Sequence, residues 1–505
     1  MTPALAALDE QPARPELPPG PYLVAGVGRA GLAAAAALER LDGAASVSAW
    51  DGIVSRVTLE ARAGLSARGI DVTLGGDGAD LLRRDPRPAC IVKSPGIPCD
   101  SPLLVAAARR GLAVVDELEL GWRLGRAPVI AITGTNGKST TASLVVEALH
   151  AASVRAALAG NTEFGDPLSA VSSVESCVVC EVSSYQLEAC PEMLPAVAVL
   201  TNLTRDHLHR HRTMERYGGL KRRLFVRDGR ATPLAVVNVD QAYGRALADA
   251  VEDAGGSAVR YGTQREADYR LESCDWDLRS ASARIRTPSG VLAVRTRHPG
   301  PHNAANVTAA VALAGALEID RDATVERLAA APLIPGRFEL IDEGQPFDVV
   351  VDYAHTPDAL RRVMRTARRI VRARPGARLH AVLSVPGTHD PPKRPQMGRI
   401  ARSLADELVI TTASLYGEAP EAVVNGLLSG ARGVKGAAVT VALDRRVAID
   451  RALRSARDGD FVLVAGRGAL PRIRVDQSGA GPVFDDRAVV RELLADQCEP
   501  VAVTQ

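Results

Sequence analysis

The sequence predicts an α/β protein built from three domains. Its 505 residues exceed what one hydrophobic core organises, since about 150 residues per domain is typical. Apolar, β-branched runs alternate with helical patterns along the chain, which is typical of parallel sheets covered by helices. We predict a disordered lead-in at residues 1–20 and domains at residues 21–125, 126–335 and 336–505. The first and last domains are predicted to be Rossmann-like, and the central one to be built around a P-loop.

Composition and charge exclude several classes of protein. The 61 basic and 59 acidic residues nearly balance and form no block of like charge, so a nucleic-acid partner is not indicated. The first 20 residues lack a basic export signal, and no apolar run reaches the roughly 18 residues that a membrane span needs. An odd count of seven cysteines is typical of free thiols in a reducing compartment. We expect a cytoplasmic protein, without a membrane span, that is a monomer.

The first domain begins with a phosphate-binding type of turn. Residues 22–31, YLVAGVGRAG, predict a strand, a complete G-x-G-x-x-G turn that includes Gly28, and a helix. Asp51 stands at the end of the next strand, where a Rossmann-like unit carries an acid, and Ser94 and Gly96 lie in a later strand-terminal turn. We assign Gly28, Asp51, Ser94 and Gly96 to substrate binding. Taken alone, the first turn also suggests NAD, and the second is also compatible with a plain tight turn.

The central domain begins with a glycine-rich turn between a strand and a helix. Residues 127–141, APVIAITGTNGKSTT, predict a strand, a glycine-rich turn and a helix start. Backbone N–H groups, the helix dipole and the Lys138 charge together make a polyphosphate cradle, with Ser139 placed for Mg²⁺. The position five before Gly137 is Ile132 rather than glycine, and a simple glycine turn is the alternative. The predicted nucleotide-binding residues are Gly134, Thr135, Asn136, Gly137, Lys138, Ser139 and Thr140.

Two later stretches of the central domain add charged groups. Glu181 ends the buried strand of CVVCEVSSYQL, where a carboxylate needs a cation, and Mg²⁺ on the nucleotide is the one implied. The stretch NLTRDHLHRH carries His207, His209 and His211, which suggest zinc at first sight. Histidines spaced in this way do not all face one point on a helix, so we favour Mg²⁺ over zinc.

These motifs together resemble a known family. GTNGKST, EVSSYQL, NLTRDHLHRH with the downstream Lys221, and GPHNAAN at residues 300–306 are similar to the central domain of the Mur ligases. These are ATP-dependent peptide ligases of peptidoglycan precursor synthesis. The resemblance runs from about residue 26 to residue 486 and implies ATP and Mg²⁺ as cofactors, with a UDP-linked muramoyl substrate and a free amino acid as partners.

The resemblance also implies roles for individual residues. Lys138, Lys221, His207 and Arg337 are implied as catalytic, and Ser139, Glu181, His207 and Lys221 as metal ligands, with Lys221 carbamylated. Only five of the 61 basic residues are lysines, which suggests that an amine is specifically needed at Lys221. Asn303, Asn306, Arg337 and Asp352 are implied in nucleotide binding. Asn161, His355 and Lys393 are implied in substrate binding.

The two ends of the chain resemble different members of the family. GVGRAG, Asp51 and KSPGIP look like the members that add D-glutamate, whereas DYAHTPDAL, KRPQMG and FDDRAV look like those that add diaminopimelate or lysine. The Asp-Asn-Pro-Arg motif of the diaminopimelate type is absent, because residues 411–420 read TTASLYGEAP. We predict UDP-N-acetylmuramoyl-L-alanine as the acceptor and glutamate, D or possibly L, as the incoming amino acid. A third-residue ligase is the alternative.

The predicted chemistry passes through an acyl phosphate formed on the acceptor carboxylate, which the incoming amine attacks. Closure of the third domain near Gly336 keeps water from this intermediate. Other hypotheses stay open: a folylpolyglutamate-type or secondary-metabolite ligase, an NAD-dependent dehydrogenase, and a nucleotide-binding protein without catalysis. The first-domain turn speaks against the folylpolyglutamate type, and the P-loop is unexplained by a dehydrogenase.

Overall fold

The computed structural model describes Leu8 and residues 14–171, 177–476 and 481–498. Three sheets of five, nine and six strands follow one another along the chain, each accompanied by helices. A separate two-stranded ribbon lies between strands of the second sheet in chain order. The predicted three-domain α/β class is confirmed. No described strand or helix crosses the boundaries expected at residues 125 and 335, because the elements of the first sheet end at Leu124, those of the second run from Val129 to Ala330 and those of the third begin at Glu339. The exact domain boundaries stay predictions.

The first sheet is entirely parallel, with the order β3-β2-β1-β4-β5. The chain leaves β1 towards β2 on one side and reaches β4 on the other, so the strand order reverses beside β1. Such a reversal opens a crevice at the carboxyl ends of the strands, which is where ligands bind in open α/β sheets. The elements are β1 Tyr22–Ala25, α1 Arg29–Asp42, β2 Val47–Asp51, α2 Arg56–Ser66, β3 Asp71–Leu74, β4 Cys90–Lys93, α3 Pro102–Arg109, β5 Ala113–Asp116 and α4 Glu117–Leu124, with short 3₁₀ helices at Ala44–Ser46 and Ala79–Arg83.

The second sheet has the order β16-β15-β14-β13-β12-β9-β6-β8-β7. It is parallel from β7 to β14 and ends in an antiparallel meander. The elements are β6 Val129–Thr133, α5 Lys138–Ala151, β7 Ala156–Gly160, β8 Cys177–Glu181, β9 Val197–Leu200, α6 Leu208–His211, α7 Met214–Arg222, β10 Val226–Arg227, β11 Arg230–Ala231, β12 Leu234–Asn238, α8 Ala242–Asp253, β13 Ser257–Gly262, β14 Tyr269–Trp276, β15 Ala281–Thr287, β16 Gly290–Thr296, α9 Pro301–Ala316 and α10 Arg321–Ala330, with 3₁₀ helices at Leu168–Ala170 and Gln186–Ala189.

The third sheet has the order β17-β18-β22-β19-β20-β21, with β17 as its one antiparallel strand among the described residues. The elements are β17 Glu339–Ile341, β18 Asp348–Asp352, α11 Pro357–Arg372, β19 Leu379–Leu383, α12 Arg394–Leu404, β20 Glu407–Ile410, α13 Pro420–Ala431, β21 Ala438–Val441, α14 Arg445–Ser455, β22 Phe461–Ala465 and α15 Asp486–Cys498, with a 3₁₀ helix at Pro391–Lys393.

Packing around β6 fixes the position of the P-loop. Every residue of β6 is buried, as a central parallel strand covered on both faces requires. Helix α5, which follows the loop, packs with the alanine-rich α9 in one hydrophobic cluster on one face of the second sheet. Small side chains let α9 approach closely, so the polar residues at its start lie against the loop.

Arg14, in the predicted lead-in, forms hydrogen bonds to the chain between the first two sheets. Residues 1–7 and 9–13 lie outside the described residues, whereas Arg14 donates hydrogen bonds to the carbonyl oxygens of Trp122 at 2.6 Å and of Gly125 and Ala127, both at 2.7 Å. This part of the predicted lead-in is therefore attached at the first boundary. Cys90, Cys99, Cys180, Cys190 and Cys274 form no disulfide with any described residue. None of the described helices combines the length and the apolar composition that crossing a membrane requires.

Candidate active site

A cavity of about 500 Å³ lies where the three sheets meet. Its walls come from the turns after β1 and β4, the P-loop, the ends of β7 and β8, the start of α9, and the segment after β18. The predicted site residues on these walls are Thr135, Asn136, Gly137, Lys138, Ser139, Thr140, Asn161, Glu181, His207, Asn303, Asn306, Arg337, Asp352 and His355. Fourteen sequence-predicted residues from distant segments therefore share one cavity.

The P-loop has the backbone that an anion cradle needs. Gly134 and Gly137 adopt φ values of +146° and +86°, and helix α5 begins directly after Gly137. Lys138 Nζ donates to the carbonyl oxygen of Thr135 at 3.1 Å, which holds the ammonium group over the loop. The N-terminus of a 14-residue helix adds its dipole at the same point. The arrangement is suited to a polyphosphate.

Ser139 and Glu181 form a pair of oxygen donors beside the loop. Ser139 Oγ donates to Glu181 Oε2 at 2.6 Å, and Asn161 Nδ2 donates to Glu181 Oε1 at 3.4 Å. The described residues contain no cluster of three or more histidine, cysteine, aspartate or glutamate side chains suited to a metal ion. A cation here would complete its shell with phosphate and water oxygens. That donor set fits Mg²⁺, which keeps several waters and binds through one or two carboxylates and substrate phosphates.

Lys221 lies behind the P-loop rather than on the cavity wall. Its ammonium nitrogen donates to Thr133 Oγ1 at 3.2 Å and to the Gly134 carbonyl at 2.9 Å, and it lies 4.8 Å from the centre of the Tyr217 ring. Burial, and then the charge of Lys138, hold the pKa of Lys221 well below the usual lysine value. The neutral amine is the form that reacts with carbon dioxide, so this environment favours the predicted carbamylation, which stays a prediction.

Asp206 connects the central domain to the third. Lys393 Nζ donates to Asp206 Oδ1 at 3.2 Å, and both side chains are buried. The other carboxylate oxygen lies 3.3 Å from His207 Nε2 and 3.9 Å from His355 Nε2. Burial opposes ionisation of Asp206, but the Lys393 ammonium, followed by the adjacent His207 and His355 rings, outweighs it and holds the pKa of Asp206 far below the usual value. From the sequence, Lys393 and His355 were expected to bind substrate, and no role was expected for Asp206. In the structure, both contact Asp206.

The three histidines of NLTRDHLHRH contact two tyrosines, Tyr185 and Tyr217. His207 Nδ1 and His209 Nε2 each lie 3.1 Å from the hydroxyl of Tyr185. His211 is fully buried and stacks on Tyr217 with an angle of 13° between the rings. Burial holds the pKa of His207 well below its usual value, so the ring is neutral at physiological pH. Metal binding by His207 stays a prediction.

The third domain contributes Arg337 and Asp352. The Arg337 guanidinium lies 4.0 Å from the centre of the Tyr353 ring, and both residues line the cavity. Asp352 uses both carboxylate oxygens on backbone N–H groups, those of Phe338 and Ala354, each at 2.7 Å. These bonds fix the loops that carry Arg337 and Tyr353, which is a role the sequence did not indicate for this acid. A nucleotide contact of Asp352 stays a prediction.

Asn303 and Asn306 form a chain of side-chain amides at the start of α9. Asn306 Nδ2 donates to Asn303 Oδ1 at 3.0 Å, and Asn303 Nδ2 donates to the Pro299 carbonyl at 2.8 Å. Thr141 Oγ1 donates to Asn306 Oδ1 at 3.3 Å. Asn306 is therefore fixed against the P-loop.

The predicted first-domain residues shape two turns, and none of them is among the described residues that line the cavity. Asp51 accepts hydrogen bonds from the N–H groups of Val27 at 3.0 Å and Ile53 at 2.9 Å. Ser94 Oγ donates to the Gly26 carbonyl at 3.1 Å, and the Gly96 carbonyl accepts from Arg210 at 3.3 Å. Gly28 caps the start of α1. Substrate binding by these four residues stays a prediction.

The sequence missed several residues that line the cavity, among them Asp206, Arg29 and Glu117. Arg29, the residue after Gly28, lines the cavity and donates to the Thr162 carbonyl at 2.9 Å, which joins the first domain to the second. Glu117 is buried on the cavity wall and accepts from the Ser169 N–H at 2.7 Å. Burial raises the pKa of Glu117 to about 7. In sequence, Glu117 is indistinguishable from any acid in a first helical turn, and the only signal for Arg29 is its place inside the glycine motif.

Comparisons with known proteins agree with this geometry. The profile of the Mur ligase middle domain matches residues 132–314, and that of the Mur ligase glutamate ligase domain matches residues 336–468. A UDP-N-acetylmuramoyl-L-alanyl-D-glutamate--2,6-diaminopimelate ligase of Geobacillus kaustophilus is 32% identical over 444 residues, covering 81% of this chain and 87% of its own. The enzyme of the same name from Streptomyces coelicolor is 36% identical over 396 residues, covering 72% of this chain and 75% of its own.

Solved structures are also similar. The structure of a UDP-N-acetylmuramoyl-L-alanyl-D-glutamate--2,6-diaminopimelate ligase has a TM-score of 0.51 at 27% identity, covering 81% of this chain and 93% of its own. A UDP-N-acetylmuramate-alanine ligase from Thermotoga maritima has a TM-score of 0.60 at 21% identity, covering 94% of this chain and 98% of its own, and shows the shared fold. Site geometry, sequence identity and fold lead to one conclusion: the chain belongs to the Mur ligase family and is an ATP-dependent acid–amino-acid ligase, as its motifs predicted.

Proposed function

We propose that this protein extends a UDP-linked muramoyl peptide by one amino acid, using ATP and Mg²⁺, as a step of peptidoglycan precursor synthesis. The observation that carries the proposal is the single cavity that joins the P-loop, the Ser139–Glu181 pair and Arg337 of the third domain. When bound, ATP with Mg²⁺ supplies the phosphoryl group that activates a carboxylate. We also propose a cytoplasmic location.

Different residues of the cavity would bind the phosphates, hold the cation and neutralise charge. Lys138 and the N–H groups at the start of α5 would hold the phosphates, while Ser139 and Glu181 would hold the cation. Arg337 approaches from the third domain and lies over the Tyr353 ring on the cavity wall, so its charge can neutralise oxygens in the cavity.

The third domain lies directly over the P-loop. Asn136 Nδ2 donates to Asp358 Oδ2 at 3.0 Å, and Thr356 Oγ1 donates to Asn136 Oδ1 at 3.2 Å. Together with Lys393 and Asp206, these contacts bring the two domains together around the cavity. Exclusion of water from an activated carboxylate is what such closure provides.

The predicted addition of glutamate to UDP-N-acetylmuramoyl-L-alanine is not supported by the comparisons. The curated relatives are named for the next step, in which 2,6-diaminopimelate is added to the alanyl-glutamate substrate. In that prediction, the motifs of the first domain were given more weight than those of the third domain. We therefore propose UDP-N-acetylmuramoyl-L-alanyl-D-glutamate as the acceptor and a third residue as the incoming amino acid.

One contact favours lysine over diaminopimelate as that residue. Within residues 411–420, Glu418 accepts from Arg394 Nη1 at 2.6 Å and Nη2 at 2.7 Å. This fork-shaped pair occupies the guanidinium, and residues 411–420 contain no arginine. A second carboxylate on the incoming amino acid thus lacks a bidentate partner in this stretch, whereas the amine of lysine needs none.

The test is phosphate release from ATP with each acceptor, carrying one or two residues, against D-glutamate, L-glutamate, meso-diaminopimelate and L-lysine. We expect turnover with the alanyl-glutamate acceptor, faster with lysine than with diaminopimelate, and none in Lys138→Ala. Turnover only with the alanine acceptor and a glutamate would refute the proposed step. Phosphate release that needs no amino acid would refute the peptide-forming reaction.

A further inference from the structure

A second cavity, of about 590 Å³, lies between the first domain and the central domain, on a different set of residues from the active site. We call it the interdomain crevice. Its first-domain wall comes from α3 and β5 with Cys99, and its central-domain wall comes from residues 188–191 and 222–228. Its volume falls within the roughly 300–1,000 Å³ of small-molecule sites.

Three arginines line the central-domain wall: Arg222, Arg223 and Arg227. Arg227 is only 8% exposed, and its Nη1 donates to the Pro191 carbonyl. Its Nε and Nη2 atoms are buried and find no hydrogen-bond partner among the residues that the structure describes. Buried polar groups in folded proteins are almost always satisfied, so two unpaired guanidinium donors on a cavity wall point to an acceptor that enters from outside.

Nearby acids do not supply this acceptor. Glu119 lies close enough to Arg227 for a charge interaction, but its carboxylate accepts from Arg123 Nε at 2.7 Å and from the Met193 N–H at 3.1 Å. Glu188, on the crevice wall, accepts from Arg210 Nη2 at 2.5 Å and from Arg210 Nε at 3.0 Å. Glu192 pairs with Arg230 at 3.0 Å. Asp228 is the one other acid on the described wall, and it is exposed. The wall therefore keeps a net positive charge.

The opposite wall is apolar. Leu104, Ala108 and Val114 of the first domain face the cavity, and Val226 stands beside the arginines. Arginine forks match carboxylate and phosphate groups bidentately, and an apolar wall accommodates a hydrocarbon part of the same molecule. Unlike the active site, the crevice has no P-loop among the described residues of its wall.

We propose that the interdomain crevice binds a small anion with a phosphate or carboxylate head, held by Arg227 and Arg223, and an apolar body against the first domain. The anion would bridge the first domain and the central domain. It would also lie beside the C-terminal end of α7, since this helix ends at Arg222, the residue after Lys221. This site is independent of the proposed reaction and needs no substrate of that reaction.

The test measures thermal unfolding of the full chain against increasing inorganic phosphate or citrate, with ionic strength fixed by potassium chloride. A non-hydrolysable ATP analogue and Mg²⁺ are kept saturating, so that the P-loop is occupied. Because phosphate and citrate also stabilise proteins by exclusion from their surface, only a saturable rise in the unfolding midpoint counts as binding. We expect such a rise with one or both anions, and which of them acts identifies the head group.

Arg227→Gln is expected to weaken the apparent affinity at least tenfold. Arg230→Gln is the matched control, since Arg230 is exposed, pairs with Glu192 and does not line the crevice. If Arg227→Gln does not fold, Arg223→Gln is used instead. Arg223 lies on the exposed side of the crevice, and its replacement is also expected to weaken the apparent affinity for the anion. The proposal is overturned if neither anion gives a saturable rise, or if the variants that fold respond like the wild type.

Discussion

Replacing Gly137 by alanine tests whether the P-loop geometry is required for nucleotide binding. A Cβ at this position would lie 2.5 Å from Asn306 Oδ1, closer than carbon and oxygen approach without a shift. Asn306 cannot simply turn aside, because Asn303 and Thr141 hold its amide at 3.0 and 3.3 Å. Either the loop or the start of α9 must move.

The cost has two parts. The φ of +86° at Gly137 strains an alanine by about 1–2 kcal/mol. Displacement of the loop weakens charge-assisted hydrogen bonds to phosphate, which are worth about 1.5–3 kcal/mol each, so nucleotide affinity should fall roughly ten- to hundredfold. Gly255 isolates the first part, since its φ is +83° and an added Cβ there meets nothing within 4 Å.

Isothermal titration of each variant with a non-hydrolysable ATP analogue and Mg²⁺ measures the affinity, and urea unfolding measures the stability. We expect both variants to lose about 1–2 kcal/mol of unfolding free energy, and only Gly137→Ala to lose affinity. Wild-type affinity in Gly137→Ala would refute the inference that this loop holds the phosphates. Equal loss of affinity in Gly255→Ala would attribute the effect to general destabilisation.

Three further predictions concern buried charged groups. Burial raises the pKa of Glu117 from 4.5 to about 7, so the contribution of this group to stability is present below pH 4.5 and is lost as pH rises through about 7. In urea unfolding, the unfolding free energy of Glu117→Gln relative to that of the wild type should therefore rise by about 3 kcal/mol between pH 4.5 and pH 7. A difference that shrinks as pH rises would contradict this. Lys221→Ala should lose activity that millimolar short-chain carboxylates partly restore, whereas Lys435→Ala, on the surface, should keep it; a fully active Lys221→Ala excludes a catalytic role. Lys393→Gln leaves Asp206 buried without its ammonium partner and should lower kcat at least tenfold while ATP-analogue affinity changes less than threefold; wild-type kcat would show that the contact does not matter.

The local part of the site was predictable from the sequence. A buried strand, a glycine turn and a helix start are adjacent in the chain, so residues 134–140 specify the cradle through their own backbone preferences. Glu181 was found in the same way, because a carboxylate at the end of an apolar strand has few explanations. The order of these motifs also identified the family.

Contacts between segments were not predictable. Asp206 and Lys393 are 187 residues apart, and nothing near either of them shows that one is the partner of the other. The acids Asp51 and Asp352 matched positions where a ligand contact was expected, yet each uses both carboxylate oxygens on backbone N–H groups. A one-dimensional pattern gives the residue type and not the direction in which its side chain points.

By itself, then, the sequence determined the three-domain α/β class, the P-loop and the ligase family, since each depends on the spacing of neighbouring residues. Only the tertiary structure decided which distant groups meet: Asn306 against Gly137, Lys393 against Asp206, Glu117 on the cavity wall and Arg227 in the interdomain crevice. The physical reason is that burial and pairing set the charge state of a group, and both come from the packing of segments that are far apart in the chain.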